Sequence, residues 1–348
     1  MRPLTLPLTL PLTLPRNTLT AIVVAAALSG VGLTSLRAQP TATGLALVAN
    51  QASGSTTIIE LPSGRTTEVA VGDGPHEVAI LPGARRGVVT IYGVAGVPGH
   101  HLAIIDLRER RVSRSIDLGP YTRPHGVVPV PGRPNLVAVT SETTRNVLLV
   151  NVETGTIERV IPTNAAGSHM VALPISGAAA SARAYTANIG GGSTSELDIT
   201  SGALLRVLPV SMATEGIAVT PDGAEVWMGS NTRGTVSILD VATGTVVATL
   251  TGFRFPYRLG ISADARTAVI VDPQSDAAFV VDVASRAIRG RIDGLASPRG
   301  ISIAADGRTA MITSAGSSSV ILVDLQTLKE LRRFRVGQSP DGVGYSDR

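Results

Sequence analysis

In a chain of 348 residues without a cysteine, five histidines are the groups best suited to bind a metal or move a proton near neutral pH. Three share one local setting, in Pro75-His76-Glu77-Val78, Pro124-His125-Gly126-Val127 and Ser168-His169-Met170-Val171. The setting recurs with Glu215 before Gly216-Ile217, Tyr257 before Arg258-Leu259, Arg299 before Gly300-Ile301 and Asp341 before Gly342-Val343. These slot residues lie 49, 44, 46, 42, 42 and 42 positions apart, which is a repeat period. If neighbouring units adjoin, His76, His125, His169 and Glu215 can converge. Three neutral imidazoles, or two with a carboxylate, plus one open position make the ligand set of a catalytic Zn site. Such an ion lowers the pKa of its water or polarises a carbonyl, with His125 and Glu215 as the candidate catalytic groups. Tyr257, Arg258, Arg299 and Asp341 fall across from them, where an arginine can hold a carboxylate or phosphate bidentately. The plainer expectation is that the imidazoles are scaffold, bonding the backbone of neighbouring units without meeting at one point.

The elements that position these residues follow one pattern. After each slot comes an apolar strand, such as Val78-Ala79-Ile80 or Ile217-Ala218-Val219, then a turn, clearest as Pro221-Asp222-Gly223 and Asp306-Gly307-Arg308. A second strand follows (Val88 to Tyr92, Val137 to Thr140, Val226 to Gly229), then a polar loop, then a third strand. The third ends in an acid or amide: Glu60, Asp106, Asn151, Asp198, Asp240, Asp282 or Asp324. These side chains suit a tight turn by bonding their own backbone, and a fourth strand follows it. Four short strands per 42 to 49 residues, seven times over, predict an all-β, seven-bladed β-propeller with four antiparallel strands per blade. The segment from Gly44 to Val71 lacks a first strand and Asp341 to Tyr345 is a first strand with nothing after it. Pairing of these N- and C-terminal segments closes the ring and removes free sheet edges.

In such a ring the first strand lines the central channel and its slot residue lies at one rim. The end of strand two returns to that face, bringing Asn50, Tyr92, Glu142, Asn188, Asn231, Asp272 and Ser314. Glu142 and Asn188 join Tyr257, Arg258, Arg299 and Asp341 as candidate ligand-binding residues. His100 and His101 are placed just before a third strand, after a loop from Gly93 to Gly99, so all five histidines map to one face. Gly190-Gly191-Gly192-Ser193 lacks the strand–loop–helix context of a phosphate cradle, and Ser168 beside His169 lacks the partners of a triad. Trp227 reads as core.

Composition bounds the function. The chain is 44% hydrophobic and only 3% aromatic, with 37 Gly and 22 Pro, which fits many short strands and turns. The first forty residues differ: a Pro-Leu-Thr-Leu repeat without acids, Arg16, and the apolar run Leu19 to Leu33. That run has the length of a signal-peptide core and is short of the roughly 20 residues a span needs. Residues 1–38 are therefore expected to be a signal peptide, cleaved near Ala38, and residues 39–348 a single propeller domain, periplasmic or extracellular. Of 30 basic residues, Arg2, Arg16 and Arg37 lie in the leader, leaving 27 against 26 acids. Lys329 is the only lysine, an arginine preference attributed to GC-rich coding. Without a basic run interleaved with aromatics, no dedicated nucleic-acid surface is indicated.

Pro-His-Gly-Val (124–127), Thr-Pro-Asp-Gly (220–223), Tyr-Thr-Ala-Asn (185–188) and Asp-Val-Ala-Thr-Gly (240–244) resemble the YVTN-type, YncE-like propeller repeats of bacterial exported proteins. The resemblance covers about residues 44 to 348. It implies the propeller fold, and a scaffold used by binding proteins, surface-layer components and lactonase-like enzymes. The chain departs from the family's usual His at Glu215, Tyr257, Arg299 and Asp341. The leading expectation is a monomeric exported protein binding a small molecule or an envelope partner at a His-rich rim, with no membrane span after signal removal. A metal-dependent lactonase- or lyase-like enzyme and a cell-envelope scaffold are the alternatives.

Overall fold

A computed structural model describes residues 43–177 and 182–347, and the expected signal peptide lies outside the described residues. The chain divides into two units, Met1–Pro40 and Thr41–Arg348, and the second carries the fold. It contains seven four-stranded antiparallel sheets. Blades 1 to 6 begin at Pro75, Pro124, Ser168, Thr214, Arg258 and Pro298, and each is continuous in sequence. Blade 7 takes its first strand from Pro340–Ser346 and the other three from Leu45–Asn50, Ser55–Glu60 and Arg65–Ala70. First strands of neighbouring blades touch one another all the way round, so they line the channel.

Burial explains the strand composition. Each sheet packs both faces against neighbouring blades, so middle strands such as Leu136–Ser141 and Thr309–Ser314 are buried along their whole length. The outermost strand has one solvated side and edge, and Arg111–Asp117 is correspondingly polar and mostly exposed. Trp227 is fully buried in the apolar layer between blades 4 and 5.

The turns between third and fourth strands use their acids as predicted. Asp106 accepts the amides of Arg108 and Glu109 at 2.9 and 2.8 Å, Asp324 those of Gln326 and Thr327 at 2.8 and 2.9 Å, and Asn151 those of Glu153 and Thr154. The amide of Thr243, then its hydroxyl, hold the Asp240 carboxyl below its ordinary value. A depressed carboxyl adds stability that is present above its unfolded pKa, about 4, and is lost as pH falls through the folded value. Asp240→Asn is therefore expected to fold normally, as Asn151 serves the same turn in blade 2. Its acid-side loss of stability should be shallower, which thermal melts between neutral pH and pH ~3 would read. An unchanged acid limb would show that this turn does not couple to pH.

Arginines that composition alone ascribed to coding have a structural role on the outer strands. Arg114, Arg159 and Arg206 each donate to a turn carbonyl of the next blade (Glu153, Ser201 and Val241) at 2.7 Å, and Arg332 donates to Leu61 at 2.8 Å. Each crosses that turn's glycine, respectively Gly155, Gly202, Gly244 and Gly64, all at positive φ. A side chain there would be strained and would displace the guanidinium.

Candidate functional site

The ladder between first and second strands breaks at the slot. Regular pairing is interrupted between Pro75 and Val78, Pro124 and Val127, Thr214 and Ile217, and Pro298 and Ile301. Such a bulge lets consecutive residues turn to one side where a regular strand would alternate them. In blades 1, 2 and 6 a buried threonine fixes the irregularity: Thr90, Thr140 and Thr313 accept the amide of the residue after the slot, from Glu77, Gly126 and Gly300. The same hydroxyls donate to the slot carbonyl of the next blade, His125 at 3.0 Å, His169 at 2.7 Å and Asp341 at 2.9 Å. The backbones of His125, His169 and Asp341 are thus held by the preceding blade.

The position after the slot is glycine in blades 2, 4, 6 and 7, where an added Cβ would strike the next blade's backbone. In blades 1, 3 and 5 it is Glu77, Met170 and Arg258. The strands that carry them are approached by a glycine of the preceding blade, respectively Gly342, Gly126 and Gly216. Side chains therefore enter the channel from alternate blades, and two of the three are charged.

The slot residues form an open chain of contacts around the rim. His76 and His125 have ring centroids 4.0 Å apart, and His125 and His169 3.7 Å. His169 Nε2 lies 3.5 Å from Glu215 Oε1, and Arg258 Nη1 donates to the same oxygen at 3.2 Å. The Arg258 guanidinium sits 4.3 Å from the Tyr257 ring centre. Arg299 Nη1 is 3.4 Å from Asp341 Oδ2, which lies 3.5 Å from His76 Nδ1 and extends the chain beyond the histidines. Across the channel, Arg258 donates Nε and Nη2 to Glu77 Oε1 at 3.0 and 2.8 Å. An outer layer completes the cluster. Glu142 Oε2 accepts Tyr92 Oη at 3.0 Å and meets His169 Nδ1 at 3.3 Å. Asn231 donates to Glu215 Oε2, and Arg299 donates to Gln51 Oε1 at 3.1 Å.

Burial and charge set the protonation states. Burial, then the charges of His169 and His76, push the His125 imidazole well below its ordinary pKa, so it is neutral. Burial also lowers His169, but its hydrogen bond to Glu142 and the adjacent Glu215 carboxylate outweigh it and raise the group overall. Burial raises the Glu215 carboxyl, yet the adjacent His169 and the Arg258 charge prevail and hold it at about 2. A carboxylate held so low is a poor general base near neutral pH, which weakens the catalytic role expected for Glu215. Burial likewise opposes ionisation of Glu77, but Arg258 keeps it lowered. Tyr92 is pushed up to about 12 by burial and then the Glu142 charge, so it stays a hydroxyl donor.

His76, His125, His169 and Glu215 are therefore brought into one cluster, but not as one four-ligand set. Among the described residues, ligand atoms within 4.8 Å of one another group as His76, Glu77 and His125, and as His125, Glu142 and His169. Glu215 stands outside both, occupied by Arg258 and Asn231. Arg258, expected to hold a ligand's acid group, is only 4% exposed and spends its guanidinium on Glu77 and Glu215. Tyr257, Arg299 and Asp341 lie on the far arc as expected, and half-buried Arg299 keeps its edge toward solvent. Asn188 does not reach the cluster: it is fully buried and donates to Ser193 and Ser195 within blade 3. Asn50, Asp272 and Ser314 are similarly bound within their own blade or its adjoining loop. The expected loop from Gly93 to Gly99 is instead the tip of a long hairpin, Arg86–Val94 with Val97–Asp106. His100 and His101 lie in its second strand, two strands out from the channel, in a separate group with Asp117. Glu77 is the residue that sequence reasoning missed. Its signal is an acid at a position where four of the seven blades have glycine.

No family model and no curated protein matches this chain. Among solved structures, 1657 chains are similar, and a likeness so widely shared speaks to architecture. One of them, the Kuenenia stuttgartiensis hydrazine synthase, aligns with a TM-score of 0.65 over 76% of this chain and 87% of that one, at 13% identity. What is shared is the propeller fold. At that identity no site residue or activity carries across.

Proposed function

We propose that this chain is an exported propeller, periplasmic or extracellular and monomeric, that binds a small ligand at the His-rich mouth of its channel. The observation that carries this reading is His125. It is 0% exposed, and neither ring nitrogen has a hydrogen-bond partner among the described residues. Leaving a buried polar atom unpaired costs about 1–3 kcal/mol, a cost that a bound group removes. The plain scaffold role, in which slot imidazoles bond neighbouring backbones, does not account for a ring with no partner. Half-buried Tyr92, Glu142 and Arg299 stand between the cluster and solvent and offer a ligand its way in. The YVTN-type motifs and the leader's composition support export within that bacterial repeat family.

The test is a thermal-shift panel of divalent cations, carboxylates and phosphate, run on the purified full chain and on His125→Ala. At least one ligand class is expected to raise the wild-type Tm and to lose that effect in the variant. At a ligand concentration 100-fold above Kd the stabilisation is about 2.7 kcal/mol, a shift of a few degrees in a domain of this size. Equal shifts in both proteins, or none in either, would refute the reading. Recovery of the chain in the soluble cytosolic fraction of a bacterial host would refute export.

A further inference from the structure

Resting on the reading of the channel mouth as a ligand site, we infer that its ligand is a divalent transition-metal ion held by His76, Glu77 and His125. The ligand-capable atoms of these three lie within 4.8 Å of one another, close enough to share an ion. His76 Nδ1 and both nitrogens of His125 are buried without hydrogen-bond partners. The nearest acids to His76 Nδ1 are Asp341 at 3.5 Å and Glu77 at 3.8 Å, beyond a good hydrogen bond. The other group sharing His125 is less available: Glu142 already accepts the Tyr92 hydroxyl and meets His169 Nδ1. The group of His100, His101 and Asp117 is exposed, and its His100–Asp117 pair is already made at 2.8 Å.

The charge of the cluster asks for a cation. Glu77, Glu142, Glu215 and Asp341 face two arginines, Arg258 and Arg299, so the formal excess is two negative charges before any imidazole is protonated. A bound cation offsets that excess. Two imidazoles and a carboxylate select Zn, Cu, Ni or Co over Mg and Ca, whose preferred ligands are all oxygens. Three protein ligands leave a further position for water or an incoming group. The surroundings fit as well. Arg258 grips Glu77 Oε1 and fixes that carboxylate, while the Thr90 hydroxyl holds both the Glu77 amide and the His125 carbonyl. Partners of this kind orient metal ligands and tune their affinity.

The untagged full chain, stripped with chelator and returned to neutral pH, would be titrated with Zn2+ by calorimetry and loaded with Co2+ and Cu2+ for spectroscopy. The expected result is one ion per chain, with Co2+ ligand-field bands and nitrogen couplings in the Cu2+ resonance spectrum. His125→Ala should lose uptake, and Glu77→Gln should weaken Zn2+ binding at least about tenfold. The Glu77→Gln loss should exceed that of Glu142→Gln; the reverse order would overturn the assigned ligands. Circular dichroism of each variant separates lost ligation from lost folding, and the wild-type spectra need no variant at all. A wild-type chain that takes up none of these ions overturns the metal. If it then binds an anion through His125, the binding reading survives; if it binds neither, both fall.

Discussion

Removing residues 340–348 should destabilise the entire propeller, not just blade 7. The segment Pro340–Ser346 is that blade's channel strand, paired with Leu45–Asn50 from Leu45↔Ser346 to Asn50↔Pro340. Deletion breaks that ladder, at about 1 kcal/mol net per backbone hydrogen bond. It removes Val343 from an apolar cluster containing Ala46, Val48, Met311 and Val320, and it strips Tyr345 from the same layer. Burial of such side chains is worth roughly 1.5–3 kcal/mol each. Blades 6 and 1 lose support too: Ser302 loses the Tyr345 amide, Thr313 loses the Asp341 carbonyl, and His76 loses Asp341. The sum is comparable with the whole stability of a typical domain, 5–15 kcal/mol. It also leaves the channel edge of blade 7 unpaired, an invitation to aggregate. Calorimetry of the truncated chain should show a Tm lower by ~10 °C or more, or no cooperative transition. Adding the missing segment as a peptide should recover part of the loss. An unchanged Tm would mean that closure by this strand contributes nothing.

The architecture is legible in the sequence because blades are periodic in ways that side chains report. A slot every 42 to 49 residues, an acid or amide before every fourth strand, and a missing strand at one terminus matched by a spare one at the other are enough to count blades and close the ring. The placement of the slot histidines on one channel rim follows from that register. What alternation does not reveal is the bulge. A regular strand would send His76 and Glu77 to opposite faces, so Glu77 reads as an ordinary strand residue. The broken ladder between Pro75 and Val78 turns both inward. Arg258 is visible as a charged residue at the rim, but its partners lie 181 and 43 residues away, beyond any local pattern. Asn188 shows the opposite failure: its position suits the rim, and its side chain is captured by serines of its own sheet.

Replacing Arg258 with methionine is expected to cost about 3–5 kcal/mol, the largest loss for any single substitution in the cluster. The variant keeps much of the stem's volume but leaves Glu77 and Glu215, buried at 8% and 6% exposure, without their shared cation. The pH dependence separates this from simple loss of packing. In the wild type the Glu215 carboxyl, held at about 2, adds stability that is present above its unfolded pKa and lost as pH falls through the folded value. Without Arg258 its folded pKa rises, that contribution shrinks, and the deficit of the variant should narrow as pH drops below about 4.5. Packing loss alone would give a deficit independent of pH. The triple variant Arg258→Met, Glu77→Gln, Glu215→Gln should recover part of the stability at neutral pH, because buried charge is then removed together with its partner. The cation inference makes a further demand on the same protein. With Arg258 gone the mouth carries one more excess negative charge, so a divalent ion should raise the Tm of Arg258→Met by more degrees than it raises that of the wild type. A smaller rise would mean that Arg258 organises the ligand site more than its charge opposes the ion, and Glu77, the carboxylate it grips, is where that organisation acts.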